Sequence, residues 1–144
     1  MNLTQAISKH IEWKVKFMST ILKHESMDTE IISKDNCCEL GKWLHEDGKA
    51  RFGNLASYAL CLDKHATFHI EAGKIAAKIN GKKFNDAEAM LNAGRPYTTS
   101  SNNLNLAIKN LEMESTVPQQ IRPPLNFTGG EVVMMKKPFY FCEH

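Results

Sequence analysis

Apolar residues recur along the first twenty positions at Leu3, Ile7, Ile11, Phe17, Met18, Ile21 and Leu22. That spacing marks one face of a helix over about Leu3 to Lys23, and His10 falls inside the stripe. A polar interval, SMDTEIISKDN, then breaks the pattern. CCELGKWLHEDG reads as a short helix that tolerates its glycine mid-turn and ends at Gly48. Asn54 is placed to cap the longest helix, about Leu55 to Asn80, which stops at Gly81. Its seam is Leu55, Tyr58, Leu62, His65, His69, Ala72, Ala76 and Ile79. Steps of three and four alternate without a break, as in a helix packed against antiparallel partners. Both histidines therefore point into the interior.

Asn85 and Asp86 can cap a shorter helix through Met90 and Leu91. The following NAGRP joins a C-terminal glycine to a proline suited to the first turn of a last helix, which carries Leu104, Ile108 and Leu111. Beyond Val117 the periodicity stops. A Gly129–Gly130 turn between EVVMM and PFYF predicts a hairpin or an irregular tail. The expected fold is all-α: an antiparallel four-helix bundle, an additional short helix carrying the cysteine, and this C-terminal tail.

Charge and composition narrow the function. Across 144 residues, 18 basic and 16 acidic side chains leave +2, spread evenly. A nucleic-acid protein would carry a basic stripe, so none is expected as a partner. No apolar run reaches membrane-span length, and MNLTQAISKHIEW lacks the apolar centre of a signal peptide. A cytoplasmic location is expected. Cys37, Cys38, Cys61 and Cys142 would then stay reduced, which makes them candidate ligands or reactive thiols.

HATFH sets His65 and His69 at i and i+4, about 6 Å apart along one helical face, so both imidazoles can reach one ion. Six histidines in this length generate about a quarter of such a pair by chance. The pair alone is therefore moderate evidence, and a hydrogen-bonded core histidine is the commoner case. His10 adds a third imidazole on an inward face. Three buried imidazoles each need a partner, at a cost of a few kcal/mol otherwise, and one shared cation satisfies them together. With a thiolate they complete a tetrahedral set suited to a zinc ion (Zn2+) in its structural mode. Periodicity does not choose between Cys37 and Cys38. Cys61 lies about 12 Å of helical rise from His69, which suits a small core residue better than a ligand. His24 and His45, at helix ends, are expected in solvent. Cys142 and His144 would allow at most a weaker second site. Trp13 and Trp43 are expected to pack the core and screen the site from water.

HIEWK at His10–Lys14, CELGKW at Cys38–Trp43 and HATFH at His65–His69 together resemble the chemoreceptor zinc-binding (CZB) domain. DGKARFGNL, AEAMLNAG and RPY extend the resemblance over about residues 1–116, leaving 117–144 as a tail outside it. The resemblance implies a zinc-binding bundle with His10, Cys38, His65 and His69 as ligands, and so selects Cys38 over Cys37. It further implies a bacterial sensor of zinc, or of oxidants such as hypochlorous acid. Its output would reach chemotaxis or cyclic-di-GMP machinery. Members of that family commonly sit on a chemoreceptor or a diguanylate cyclase, and neither is recognisable here. Such a protein, acting in trans, or a second copy in a homodimer, is the expected partner. A structural-zinc interaction module or a zinc buffer is the alternative. Four protein ligands leave no position for activated water, and no paired carboxylates of the di-iron kind occur, so no enzyme is expected.

Overall fold

The computed structural model describes residues 1–116, which form seven helices and no strand. The 117–144 tail and the hairpin expected there lie outside the described residues. Three helices are long: α1 (Leu3–Lys23), α5 (Ala56–Asn80) and α7 (Pro96–Ser115). Four are short: α2 (Thr29–Ser33), α3 (Glu39–His45), α4 (Asp47–Phe52) and α6 (Phe84–Ala89). The all-α expectation holds, and α1, α3, α5, α6 and α7 fall where the apolar pattern put helices. Two helices, α2 and α4, were not expected.

Contacts between named side chains fix the directions of the long helices. Thr4 donates to Glu112 at 3.0 Å, and the Phe17 and Tyr97 rings lie 5.7 Å apart, so α1 and α7 run antiparallel. The Ser57 amide donates to Glu114, and Phe68 meets Tyr97 at 5.4 Å, so α5 and α7 are antiparallel too. It follows that α1 runs parallel to α5, and their C-terminal ends are tied through Asn80. That side chain accepts from the Met27 amide and donates to the Met27 carbonyl and the Thr29 hydroxyl, each at 2.8 Å. All eight seam positions of α5 are buried, as their spacing requires. They meet Leu104, Ile108 and Leu111 of α7, and α5 against α7 is the largest interface between helices.

Where local chemistry and burial compete, burial decides several helix ends. Asn54 does not cap α5; Leu55 takes that position without a side-chain hydrogen bond. Leu55 is buried, and placing it inside is worth about 2 kcal/mol against about 1 kcal/mol for a polar cap. Asn85 and Asp86 likewise lie within α6, with Lys83 before its first turn. Gly48 does not end the cysteine-bearing segment. The break comes at Glu46, whose backbone is not helical (φ −122°, ψ −98°), and Gly48 sits inside α4 against the Trp43 ring. On α1, Ile11 and Leu22 are 52% and 77% exposed, because the seven apolar positions spread wider than the face that the neighbours cover. The start of α7 agrees with its sequence: Gly94 takes φ +81° and Pro96 opens the helix.

The polar interval after α1 conceals α2. Asp28 accepts from the Ile31 amide at 3.1 Å, Glu30 lies in the first turn, and only Ile32 is buried. This helix lies directly on α5 because residue 73 is glycine. A Cβ there would overlap the Ser33 hydroxyl and approach the Ser33 Cα to 3.2 Å. In an open helix Gly→Ala gains about 1 kcal/mol. Here overpacking costs about 1–3 kcal/mol, so the cost prevails. Gly73→Ala is expected to lower stability by up to about 2 kcal/mol in urea unfolding, and a variant more stable than the parent would show that α2 is not held tightly on α5.

Candidate metal centre

Three separate segments place four polar groups at a common point. His10 comes from the middle of α1 and Cys38 from the N-cap of α3. His65 and His69 come from successive turns of α5. The three histidines are 3%, 0% and 2% exposed, while Cys38 is half-buried. The Cys38 Sγ lies 3.7 Å from His10 Nε2, 3.2 Å from His65 Nε2 and 3.5 Å from His69 Nε2. His65 and His69 Nε2 are 3.1 Å apart, and the four donors all fall within 4.8 Å of one another. With zinc bonds of about 2.0 Å to nitrogen and 2.3 Å to sulfur, a tetrahedron has edges of about 3.3 Å (N···N) and 3.5 Å (N···S). The four measured edges match these. The rings stand at 73–87° to one another, so they present edges to the centre instead of stacking.

The other ring nitrogens decide which atom faces inward. His10 Nδ1 lies 2.8 Å from the Ala6 carbonyl and His69 Nδ1 lies 2.8 Å from the Ile32 carbonyl. A carbonyl only accepts, so each Nδ1 carries the proton and each Nε2 directs a lone pair at the centre. Carbonyl partners of this kind orient metal-binding histidines and raise their basicity. His65 Nδ1 is buried with no hydrogen-bond partner among the described residues. Cys38 Sγ accepts from the Gly41 amide at 3.3 Å, the N-cap contact of α3.

Burial also sets the protonation states. It lowers His10 to about 4, and it lowers His65 and His69 as well, with neighbouring histidines adding to the effect at His10 and His65. All three are thus neutral near pH 7, the form that binds a metal. Burial raises the Cys38 thiol, against the pull of the backbone amides of Gly41, Leu40 and Cys38. A cation at the centre would reverse that balance, since a coordinating thiol loses its proton. Lone pairs of three neutral imidazoles and one sulfur, enclosed without an opposing cation, form a donor set that can hold a metal ion.

Other candidate groups separate cleanly from this cluster. Cys37 Sγ turns to the Asn36 side chain at 3.6 Å. Cys61 is fully buried in the apolar core, which pushes its thiol up to about 12, and it stands outside the cluster as its position on α5 implied. His24 is exposed, as expected, whereas His45 is half-buried. His24 stacks on Phe84 with centroids 4.2 Å apart, and His45 Nε2 meets Asp35 Oδ2 at 3.1 Å. Trp13 packs on Phe17, and Trp43 lies beside Phe52. The two indoles are only half-buried and do not seal the site: they wall a cavity that reaches Cys38 and His10. Sequence reading missed the Ile32 carbonyl, which lies 37 positions before His69 with no local pattern to link them. It also missed the role of Gly41, where a Cβ would overlap the Asp35 carbonyl oxygen and sit 2.8 Å from its carbon. Gly41 lets the 35–38 turn fold back onto α3 and fix Cys38. Gly41→Ala is expected to weaken metal binding by about 10- to 100-fold in chelator competition; unchanged affinity would show that this turn does not position the sulfur.

Residues 10–76 match the family model described as the chemoreceptor zinc-binding domain. Comparison with curated proteins and with solved structures found no match. The matched stretch begins at His10 and contains Cys38, His65 and His69, so it encloses the whole four-donor cluster. The donor cluster therefore lies wholly within the stretch of the chain that is similar to the chemoreceptor zinc-binding domain.

Proposed function

We propose that the protein is a zinc-binding regulatory domain, not an enzyme, with His10, Cys38, His65 and His69 as the ligands of one zinc ion. The observation that carries this reading is the convergence of three Nε2 atoms on one Sγ at 3.2–3.7 Å, all four donors lying within 4.8 Å of one another. When bound, zinc supplies a fixed positive charge that holds the sulfur as a thiolate and joins α1, α3 and α5. The chain's own residues set the terms. Ala6 and Ile32 hold two rings in register, and α1 depends on His10 for its tie to that centre. Without that tie α1 is the long helix freest to shift, since among the described residues its remaining contacts are side-chain packing and the Thr4 bond. A partner of the chemoreceptor or diguanylate cyclase type, or a second copy, would read the shift as a change in population. Location in the cytoplasm follows from that role.

Burial differences favour an oxidant-responsive form of this reading over a purely structural zinc. The three imidazoles are closed off, and the oxidisable donor, Cys38, is the half-exposed one. A two-electron oxidant such as hypochlorous acid converts a thiolate to a sulfenic acid, which is a poorer ligand.

Purified protein is expected to hold one zinc per chain, and its cobalt-substituted form to show a thiolate-to-metal charge-transfer band. Cys38→Ser should remove the band and leave helical circular dichroism unchanged. An all-nitrogen-and-oxygen shell would refute the ligand assignment, and unfolding of the variant would favour a structural zinc. Amide exchange in α1 is expected to quicken when zinc is removed. Equal exchange with and without zinc would leave a buffer, not a sensor.

A further inference from the structure

A cavity of about 370 Å³ lies where α5, α6 and the first turn of α7 meet. Small-molecule sites run from about 300 to 1,000 Å³, so its size suits a small ligand. None of the four metal donors lines it. Ala89, Met90 and Pro96 give it apolar wall, and Tyr97, only 3% exposed, completes the lining. The Tyr97 ring is fixed from the core by Phe17 and Phe68, yet its hydroxyl has no hydrogen-bond partner among the described residues. A long helical side chain leans toward the N-terminus, which directs this hydroxyl to the cavity end of α7. Burial raises its pKa, so it remains a donor at neutral pH. Three cations, Lys74, Lys78 and Arg95, face two carboxylates, Glu71 and Asp86. Lys74 and Glu71 hold each other at 3.1 Å, which leaves Lys78 and Arg95 against Asp86 within the lining. The first turn of α7 has no side-chain cap, and its positive end lies at Arg95 and Pro96, which adds to the cationic excess.

We propose that this cavity binds a small organic carboxylate, its apolar body against Met90 and Pro96 and its carboxylate among Lys78, Arg95 and the Tyr97 hydroxyl. A buried hydroxyl without a partner is costly until something accepts from it, and a carboxylate is an acceptor at both oxygens. The hydroxyl is held in place before any ligand arrives, because two core rings fix the tyrosine, so binding orders little. Inorganic phosphate would leave the apolar wall uncovered. A neutral ligand would leave the two cations and the helix end unmatched. The site requires no zinc, and it stands or falls apart from the metal-centre reading.

Benzoate, its neutral isostere benzamide, and inorganic phosphate, each titrated into the full chain and followed by NMR, test the proposal. Benzoate is expected to shift the Met90 methyl and Tyr97 ring signals, with benzamide and phosphate weaker by about tenfold or more. Tyr97→Phe keeps the ring and removes only the hydroxyl. It should weaken benzoate by about tenfold, and Lys78→Met, the second variant should the first fail to fold, by a similar factor. Lys14→Gln, at an exposed position of α1 outside the cavity, should bind benzoate as the parent does. Absence of benzoate binding overturns the site. Benzamide binding as tightly as benzoate overturns the part given to charge, and phosphate binding as tightly overturns the part given to the apolar wall. Folded Tyr97→Phe and Lys78→Met proteins with parental benzoate affinity place any binding elsewhere and overturn the assignment.

Discussion

Three neutral imidazoles facing a single sulfur inside an apolar interior are the constraint around which this fold is arranged. Each Nε2 directs electron density at the same small volume. Polar atoms buried in that way are tolerable when one positive centre satisfies them together, and costly when nothing does. The parallel course of α1 and α5 serves that end. It brings His10 level with the two turns of α5 that carry His65 and His69, while α7 packs on α5 with a mainly apolar face.

The short elements supply orientation where the long ones supply bulk. Five residues of α2 bury one side chain, yet their last turn presents the carbonyl that fixes the His69 ring. Gly73 and Asn80 hold that helix where the carbonyl is needed. Gly41 does the same for the turn before α3. Close approach at the two glycines, together with the Asn80 side chain, places these short elements.

Much of this was legible in the sequence, for definite reasons. Eight seam positions of α5 alternate by three and four, and burial followed all eight because a twenty-five-residue helix cannot turn one of them outward without turning the rest. His10, His65 and His69 were legible as inward groups for the same cause. The choice of Cys38 over Cys37 was not, and came through the likeness of C-x-L-G to a family pattern; the structure places Cys38 in the cluster and turns Cys37 away. What stayed hidden depends on non-local contact. α2 has too few apolar positions for any period, and its Asp28 cap was its one local sign. Ile11 and Leu22 misled because apolar character does not say which of several adjoining faces a neighbour will cover. The cap assigned to Asn54 misled because capping is weaker than burying a leucine.

One atom does two jobs at the start of α3. The sulfur of Cys38 is a member of the donor cluster, and it also accepts the amide hydrogen of Gly41 that begins the helix. Whatever takes lone pairs from that sulfur therefore acts on the backbone as well as on the cluster. Chemistry at a single side chain is thereby coupled to the main chain of the turn that carries it.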